Sequence, residues 1–441
     1  MTFRYTLAKQ SGRFVRWTLK RLNRSATSLP GKVALAIDPK FFQSLTKNMK
    51  VVMVTGTNGK TLTTSLITHA LSEKYSVLTN ESGSNMVQGI ATTFLNAKNQ
   101  EIAVLEVDEA NLQKLTPYIK PELIVLTNLF EDQTDRFKNI TETYKYIVKG
   151  AHISPTSKII ANGDVPLFNH DDLTNPKEFY GFKTNQETPT QTTPTSDDTK
   201  CPKCGHPLHY HSLTYANLGD YYCTNCGFAH PQLTYQLTQV STKARNSSSF
   251  VVDDFEFTIQ VGGLYNIYNA LTAVSVAKHF GLTNQQIQSG FDKTPMKFGR
   301  QESFFLDDKE IIINLVKNTV GFNQIVDLIE LDSNSKSLIA LFNNNAADGT
   351  DISWINDADF EKLVTLNIEE VLVSGLVAQE VKSRFEATKF TNIKQCDSFQ
   401  DVIKQLNTFQ NNRIYVLATY TALLEFRNLL SNAGYVSKDM K

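Results

Sequence analysis

Between residues 55 and 61 the chain reads Thr55-Gly56-Thr57-Asn58-Gly59-Lys60-Thr61, after a β-branched apolar run, Val51–Val54, and before a helical pattern, Leu62–Lys74. A strand that turns through two glycines into a helix is the setting of a phosphate-binding loop. Gly56 and Gly59 let backbone N–H groups face phosphate oxygens, together with Thr57 and Asn58 between them, and the helix N-terminus adds a favourable dipole. Lys60 is placed to reach the β- and γ-phosphates of ATP, and the Thr61 hydroxyl to bind Mg²⁺. The strict G-x-x-x-x-G-K pattern fails, because Val54 holds its first glycine position. The same unit dictates fold class. Strand candidates Ser76–Thr79, Ile102–Val107, Leu123–Thr127 and Lys158–Ala161 follow, and strands alternating with helices predict a parallel α/β sheet. A second alternation, with strands Ile311–Leu315, Leu338–Phe342, Val371–Val373 and Ile414–Leu417, predicts another α/β unit toward the end.

Four of the five cysteines lie in two knuckles, Cys201-Pro202-Lys203-Cys204-Gly205 and Cys223-Thr224-Asn225-Cys226-Gly227, separated by 18 residues. Paired CxxC knuckles at this spacing bring four thiolates around Zn²⁺. A set of four sulfurs leaves no open coordination position, so the zinc is structural; His206, His209 and His211 lie between the pairs as competing ligands. Disulfides are the other use of such pairs. The N-terminus has no apolar signal segment, which points to the reducing cytoplasm and favours metal. Ahead of the knuckles, the polar stretch Thr184–Lys200 reads as a linker. Lys+Arg and Asp+Glu both total 44, and Cys201–Cys226 holds only Lys203 as a lysine or arginine. Nucleic acid is therefore not the expected partner.

Residues 1–32 carry eight Lys/Arg and no acid. If Arg13–Arg24 is helical, Arg13, Arg16, Lys20 and Arg24 share one face, Phe14, Val15, Leu19 and Leu22 spread over the other with Thr18, and Trp17 falls among the basic residues, an imperfect amphipathic pattern. Two readings fit: a helix docked on the domain behind it, or one lying on an anionic membrane surface. No apolar run approaches the roughly 18 residues of a membrane span.

Further segments follow the loop in order. Glu106 ends a strand in Leu105-Glu106-Val107-Asp108-Glu109. Thr127-Asn128-Leu129-Phe130-Glu131-Asp132-Gln133-Thr134-Asp135-Arg136, Asn162-Gly163-Asp164-Val165-Pro166, Gly263-Leu264-Tyr265-Asn266-Ile267-Tyr268-Asn269-Ala270, Gly299-Arg300 and Asn314-Leu315-Val316-Lys317-Asn318 complete the set. Together they resemble the Mur ligase superfamily. The resemblance implies that Glu106 binds magnesium, with Asp108 and Glu109 close enough to compete. It also implies that Asn269 contacts adenine and that Arg300 reaches toward the nucleotide. Gln133 replaces a histidine that helps hold a second metal, and no lysine matches the one carbamoylated in several amino-acid-adding members. About 50 residues precede the loop, too few for a UDP-binding domain.

With the inserted ribbon and altered second half, the whole chain resembles the MurT family, the synthetase subunits of lipid II isoglutaminyl synthase. That likeness implies a basic segment over residues 1–48 and a Mur ligase central ATPase domain over 49–298, with linker and zinc ribbon inserted at 184–235. A Rossmann-like α/β domain would occupy 299–441. The implied activity is that of a carbon–nitrogen ligase in peptidoglycan synthesis. ATP and Mg²⁺ convert the D-isoglutamate carboxylate of the lipid II stem peptide to an acyl phosphate, which ammonia opens to D-isoglutamine. The ammonia implies a GatD-like glutaminase partner, since the spare thiol, Cys396 in Lys394-Gln395-Cys396-Asp397, lacks a nucleophile-elbow context. In Ala347-Asp348-Gly349-Thr350-Asp351-Ile352-Ser353-Trp354 the resemblance assigns Asp351 to complete the partner's Cys–His pair; an Asx turn built on Asp348-Gly349 is the bland alternative. The expected location is cytoplasmic, peripheral at the inner membrane face. Two competing functions stand beside this one: a folylpolyglutamate-synthase-like amino-acid ligase, and a non-catalytic nucleotide-binding zinc-ribbon scaffold.

Overall fold

A computed structural model describes residues 3–22, 24, 26–80, 84–132, 139–183, 200–295 and 300–436. Its first sheet has nine strands, β1 Lys50–Thr55, β2 Val77–Thr79, β3 Ile102–Glu106, β4 Leu123–Leu126, β5 Lys158–Asn162, β6 Lys177–Phe182, β9 Tyr235–Lys243, β10 Ser248–Val252 and β11 Phe255–Ile259. They run in the order β11-β10-β9-β6-β5-β4-β1-β3-β2. All neighbours from β2 to β9 pair in parallel, and only β10 and β11 are antiparallel. Val51 to Val54 are fully buried, as expected of a central parallel strand covered by helices on both faces. Between β6 and β9 the chain leaves the sheet to make the antiparallel hairpin β7 His209–Tyr215 and β8 Leu218–Tyr222, which carries the cysteine module. The module is thus an insertion in the sheet. The polar linker, residues 184–199, lies outside the described residues.

The second sheet holds β12 Arg300–Leu306, β13 Lys309–Leu315, β14 Lys336–Leu341, β15 Ile368–Ser374, β16 Ile393–Gln395 and β17 Arg413–Ala418, in the order β12-β13-β17-β14-β15-β16. It is parallel except for the β12 edge. Separate apolar clusters cover its two faces, one around Phe322, Phe342 and Tyr415, the other around Phe399, Leu423 and Phe426. The joint between the two sheets is fixed by Gln301, buried and at φ +57, which exchanges two hydrogen bonds with the Gly262 backbone (3.0 and 2.8 Å).

The basic helix differs from its expected limits. It spans Phe3–Arg21, ten residues ahead of Arg13, because Tyr5, Ala8 and Gly12 form a buried face that the charge pattern does not announce. At Gly12 an added Cβ would lie 2.7 Å from the Leu95 side chain, so the helix seats closely. Arg13 Nε donates to the Leu95 carbonyl (2.8 Å) and Lys9 Nζ to that of Ala97 (3.2 Å). One face of the helix is thus docked on the domain behind it. No helix among the described residues is long and apolar enough to cross a membrane.

Candidate functional site

β1 ends at Thr55, and the helix Lys60–Ser72 opens four residues after Gly56. Gly56 (φ +135) and Gly59 (φ +80) are required twice over, by backbone conformation and by space. A Cβ on Gly56 would lie 2.2 Å from Thr127 Oγ1, and one on Gly59 2.1 Å from Asn269 Oδ1. The Thr127–Phe130 segment after β4 staples the loop. Asn58 N donates to Asn128 Oδ1 (2.8 Å), Asn128 Nδ2 to the Asn58 carbonyl (3.0 Å), and Phe130 N to Thr57 Oγ1 (3.0 Å). Asn269, buried on the helix Leu264–His279, accepts from Thr63 Oγ1 (3.1 Å) and donates to Asn266 Oδ1 (3.1 Å), so it lies directly against the loop.

Lys60 Nζ donates to the Gly56 carbonyl, to that of Thr57 (3.3 Å) and to Glu109 Oε1 (3.0 Å). Burial disfavours its charge, but Glu109, Glu106 and Asp108 outweigh burial and raise its pKa above the ordinary lysine value. These three acids have different tasks. Asp108 caps the helix Glu109–Leu115, accepting from Ala110 N (3.2 Å) and Asn111 Nδ2 (2.8 Å). Glu109 is the ion-pair partner of Lys60. Glu106 is buried, its backbone clamped on both sides by the Asn80 amide (2.9 Å each), and its carboxylate accepts from Asn85 Nδ2 (3.1 Å). Of the three, Glu106 has the carboxylate least committed to the protein. Thr61 follows Lys60 in the first turn of its helix.

The second sheet contributes a residue that sequence reasoning passed over. Lys317, just beyond β13, donates to the Thr57 carbonyl (3.1 Å) and pairs with Asp132. Next to it, Asn318 and Asn58 exchange side-chain hydrogen bonds (3.3 and 3.2 Å). The only linear signal was position, since Lys317 falls in the Asn314–Asn318 segment that carries the family resemblance. Around the same cleft, Thr55 Oγ1, Asp132 Oδ1 and both amide atoms of Asn314 are buried without a partner among the described residues. Asn314 is 1% exposed. Buried orphan polar groups at a phosphate loop are what a nucleotide and its cation would satisfy. Gln133 and the side chain of Arg300 lie outside the described residues; the Arg300 backbone pairs with Asn314 at the start of β12.

In the ribbon, the Cys201, Cys204, Cys223 and Cys226 sulfurs all lie within 4.8 Å of one another. The two knuckles repeat one geometry. Cys201 N donates to the His206 carbonyl and Cys223 N to that of Phe228 (2.7 Å each), and Gly205 (φ +75) and Gly227 (φ +71) close the turns. The donor set fits Zn²⁺. His209 and His211 instead stack on Tyr222, with ring centroids at 5.4 and 4.4 Å. Buried Asp164 links the ribbon to the helix Leu264–His279, accepting from His230 Nε2 (2.8 Å) and Tyr268 Oη (2.5 Å).

The loop after β14 separates its two aspartates. Asp348 is buried and structural, accepting from Thr421 N (2.6 Å), Thr421 Oγ1 (2.5 Å) and Asn345 N (3.1 Å). Asp351 is half-buried and accepts from Ser353 N (2.8 Å). Cys396 packs at the edge of the second sheet; burial, with Asp401 and Asp397 nearby, pushes its thiol pKa up, away from a nucleophile's.

The Mur ligase middle domain family matches residues 54–230, and the MurT ligase C-terminal family matches residues 315–423. The chain is 45% identical to the lipid II isoglutaminyl synthase (glutamine-hydrolyzing) subunit MurT of Streptococcus pneumoniae, with 100% of each chain covered. To the subunit of the same name from Staphylococcus aureus it is 33% identical, over 83% of this chain and 84% of the relative. Among solved structures, a pseudomurein peptide ligase type C from Methanothermus fervidus superposes with a TM-score of 0.68 at 19% identity, over 90% of this chain and 81% of that one.

Proposed function

Because the chain belongs to the MurT family of Mur-type ligases, we propose that it is the ATP-consuming synthetase subunit of a lipid II isoglutaminyl synthase. The observation that carries the reading is the convergence of two ammonium groups on one carbonyl oxygen. Lys60 from the first sheet and Lys317 from the second both donate to Thr57 O, at 3.3 and 3.1 Å. In this reading residues 49–298 form the ATP-binding domain and 299–441 the C-terminal domain, and the cleft between them takes the triphosphate.

A carboxylate is a poor electrophile, so the D-isoglutamate carboxylate of the stem peptide attacks the γ-phosphorus, ADP leaves, and an acyl phosphate forms. Lys60, Lys317 and the N–H groups of Gly56 to Thr61 hold the charge on the transferring phosphoryl group. Thr61 and Glu106 would hold Mg²⁺, which supplies further neutralisation of phosphate charge. Asn269 and Arg300 are assigned to the nucleotide. Ammonia then adds to the acyl carbon, phosphate leaves, and D-isoglutamine results. Most free ammonia at neutral pH is ammonium, which has no lone pair, so the nitrogen is delivered by a GatD-like glutaminase as the second half of a heterodimer. Asp351 would orient and charge-stabilise the histidine of that partner's Cys–His pair. The four-cysteine zinc ribbon is structural, and the enzyme works at the inner face of the cytoplasmic membrane, where lipid II is anchored. The full-length similarity to MurT subunits favours this reading over a folylpolyglutamate-type ligase or an inert scaffold.

The test mixes the purified chain with ATP, Mg²⁺ and lipid II, first with ammonium at raised pH, then with glutamine. Amidation is expected with ammonium alone, and with glutamine only when the glutaminase is added. Glutamine use by this chain alone contradicts the two-subunit reading, and glutamate addition to a folate replaces it.

A further inference from the structure

The helix Phe3–Arg21 is buried along one face and uncovered along the other. Opposite Tyr5, Ala8 and Gly12 stand Phe3, Leu7, Phe14 and Trp17, which are 85, 45, 65 and 51% exposed. At helical spacing these four fall within a stripe about 80° wide, pointing away from the body. Single exposed apolar residues are ordinary on a soluble protein, but four large ones in a row are not. Leu22, Leu29 and Met86 are exposed as well. Ser28 Oγ lies 3.5 Å from Ser84 Oγ, so Leu29 and Met86 flank one seam, and Met86 adjoins the Asn85 that holds Glu106. That seam lies beside the acid cluster Glu106–Glu109.

Charge identifies the occupant. Residues 1–32 contain eight Lys/Arg and no acid. Lys20 flanks the stripe about 60° from Trp17, Arg24 follows it, and the Arg21 guanidinium, within the stripe, lies 4.2 Å from the Trp17 ring centroid. Aromatic and aliphatic side chains with cations beside them and at the end of the stripe match the boundary between acyl chains and anionic headgroups.

We propose that this helix seats the protein on anionic phospholipid, with Phe3, Leu7, Phe14 and Trp17 entering the interface and Lys20, Arg21 and Arg24 against headgroup phosphates. The inference rests on the proposed function for its purpose, delivery of the site to a membrane-anchored substrate, but lipid binding itself needs neither ATP nor lipid II.

The test uses the full chain, alone and with its glutaminase, on vesicles of equal parts phosphatidylglycerol and phosphatidylcholine and on vesicles of phosphatidylcholine only. Sedimentation with the anionic vesicles and a blue shift of Trp17 emission are expected. Phe14→Ser/Trp17→Ser and Lys20→Gln/Arg24→Gln should each weaken binding by about tenfold or more. Both should keep wild-type thermal midpoint, zinc content and ammonium-driven turnover of detergent-dispersed lipid II, while slowing turnover of lipid II in vesicles. The inference is overturned if the wild type stays in the supernatant, or if both variants sediment like it. It is also overturned if the variants bind vesicles normally but no longer co-elute with the glutaminase, which makes the stripe a protein interface. Stripe-dependent vesicle binding with no amidation of lipid II under any condition would leave this inference standing and remove the proposed function.

Discussion

Asp351→Ala and Asp348→Ala, three residues apart in one loop, are expected to fail in different ways. Asp348 is buried and accepts three hydrogen bonds, two of them from Thr421 at 2.6 and 2.5 Å, which tie the loop to the last helix. Hydrogen bonds to a charged group contribute about 1.5–3 kcal/mol each and overlap, so removing the carboxylate should cost roughly 3–5 kcal/mol. In a domain of this size that lowers the thermal midpoint by about 10–20 °C. Asp351 is half-buried, and the loss of its bond from Ser353 N should cost about 1 kcal/mol, a few degrees. The catalytic consequences run the other way. A triad missing its carboxylate loses about 10²–10⁴ in rate, and here only the partner's glutamine hydrolysis uses the triad. Asp351→Ala should therefore retain ammonium-driven amidation within about twofold while glutamine-driven amidation falls by at least about 10². Asp348→Ala, assayed below its lowered midpoint, should lose both activities together. The assay is product formation by mass spectrometry with each nitrogen donor, alongside thermal unfolding. Equal loss of both activities in Asp351→Ala, or full retention of glutamine use, would refute the assignment.

Lys317→Met removes one of the two cations at Thr57 O, and should lower ammonium-driven kcat by about 10²–10³ with little change in ammonium KM; unchanged kcat would confine Lys317 to neutralising Asp132. Chelation should release one zinc per chain and open the small core of Leu208, Tyr210 and Tyr221, read as new protease cleavage within β7 and β8; a protein that carries no zinc and shows Cys–Cys bonds by mass spectrometry would contradict the ribbon. Asp332 is buried, which raises its pKa, but hydrogen bonds from Tyr415 and Arg413 prevail and hold it below the ordinary aspartate value. A depressed folded pKa contributes stability that is complete above about pH 4 and is lost as pH falls through the folded value. Asp332→Asn should therefore flatten the acid limb of the stability curve, and an unchanged limb would show that this carboxylate does not set it.

The first sheet was legible where its strands are buried on both faces. β1, β3 and β4 read as continuous apolar runs because helices cover them above and below, and their ends moved by only a residue or so. β9 did not read as a strand, since most of its residues meet solvent and alternation is lost; β12 sits at an edge, paired only with β13. The basic helix was placed too late because its docking face is Tyr5, Ala8 and Gly12, small or polar-tipped residues whose burial depends on Leu95 and its neighbours. The same distinction governs the site. Lys60, Thr61 and the glycines are encoded by a turn of seven residues. Lys317 and Asn318 meet the loop across 260 residues, and Asp348 is told from Asp351 only by Thr421, 73 residues on.

That long-range contact also bears on how the cleft works. Lys60 and Lys317 bring two positive charges to one carbonyl oxygen, and Glu109 and Asp132 are the anions that make this tolerable in the closed arrangement. A triphosphate entering the cleft competes with those carboxylates for the same ammonium groups. On the proposed function it would exchange these internal ion pairs for pairs to phosphate, so Glu109→Gln or Asp132→Asn should change nucleotide affinity, read by titration calorimetry. The orphaned amide of Asn314 and the amide of Asn318, paired with that of Asn58, lie along the same seam, so substituting Asn314 or Asn318, both outside the loop, should change nucleotide affinity while leaving the loop's own fold in place.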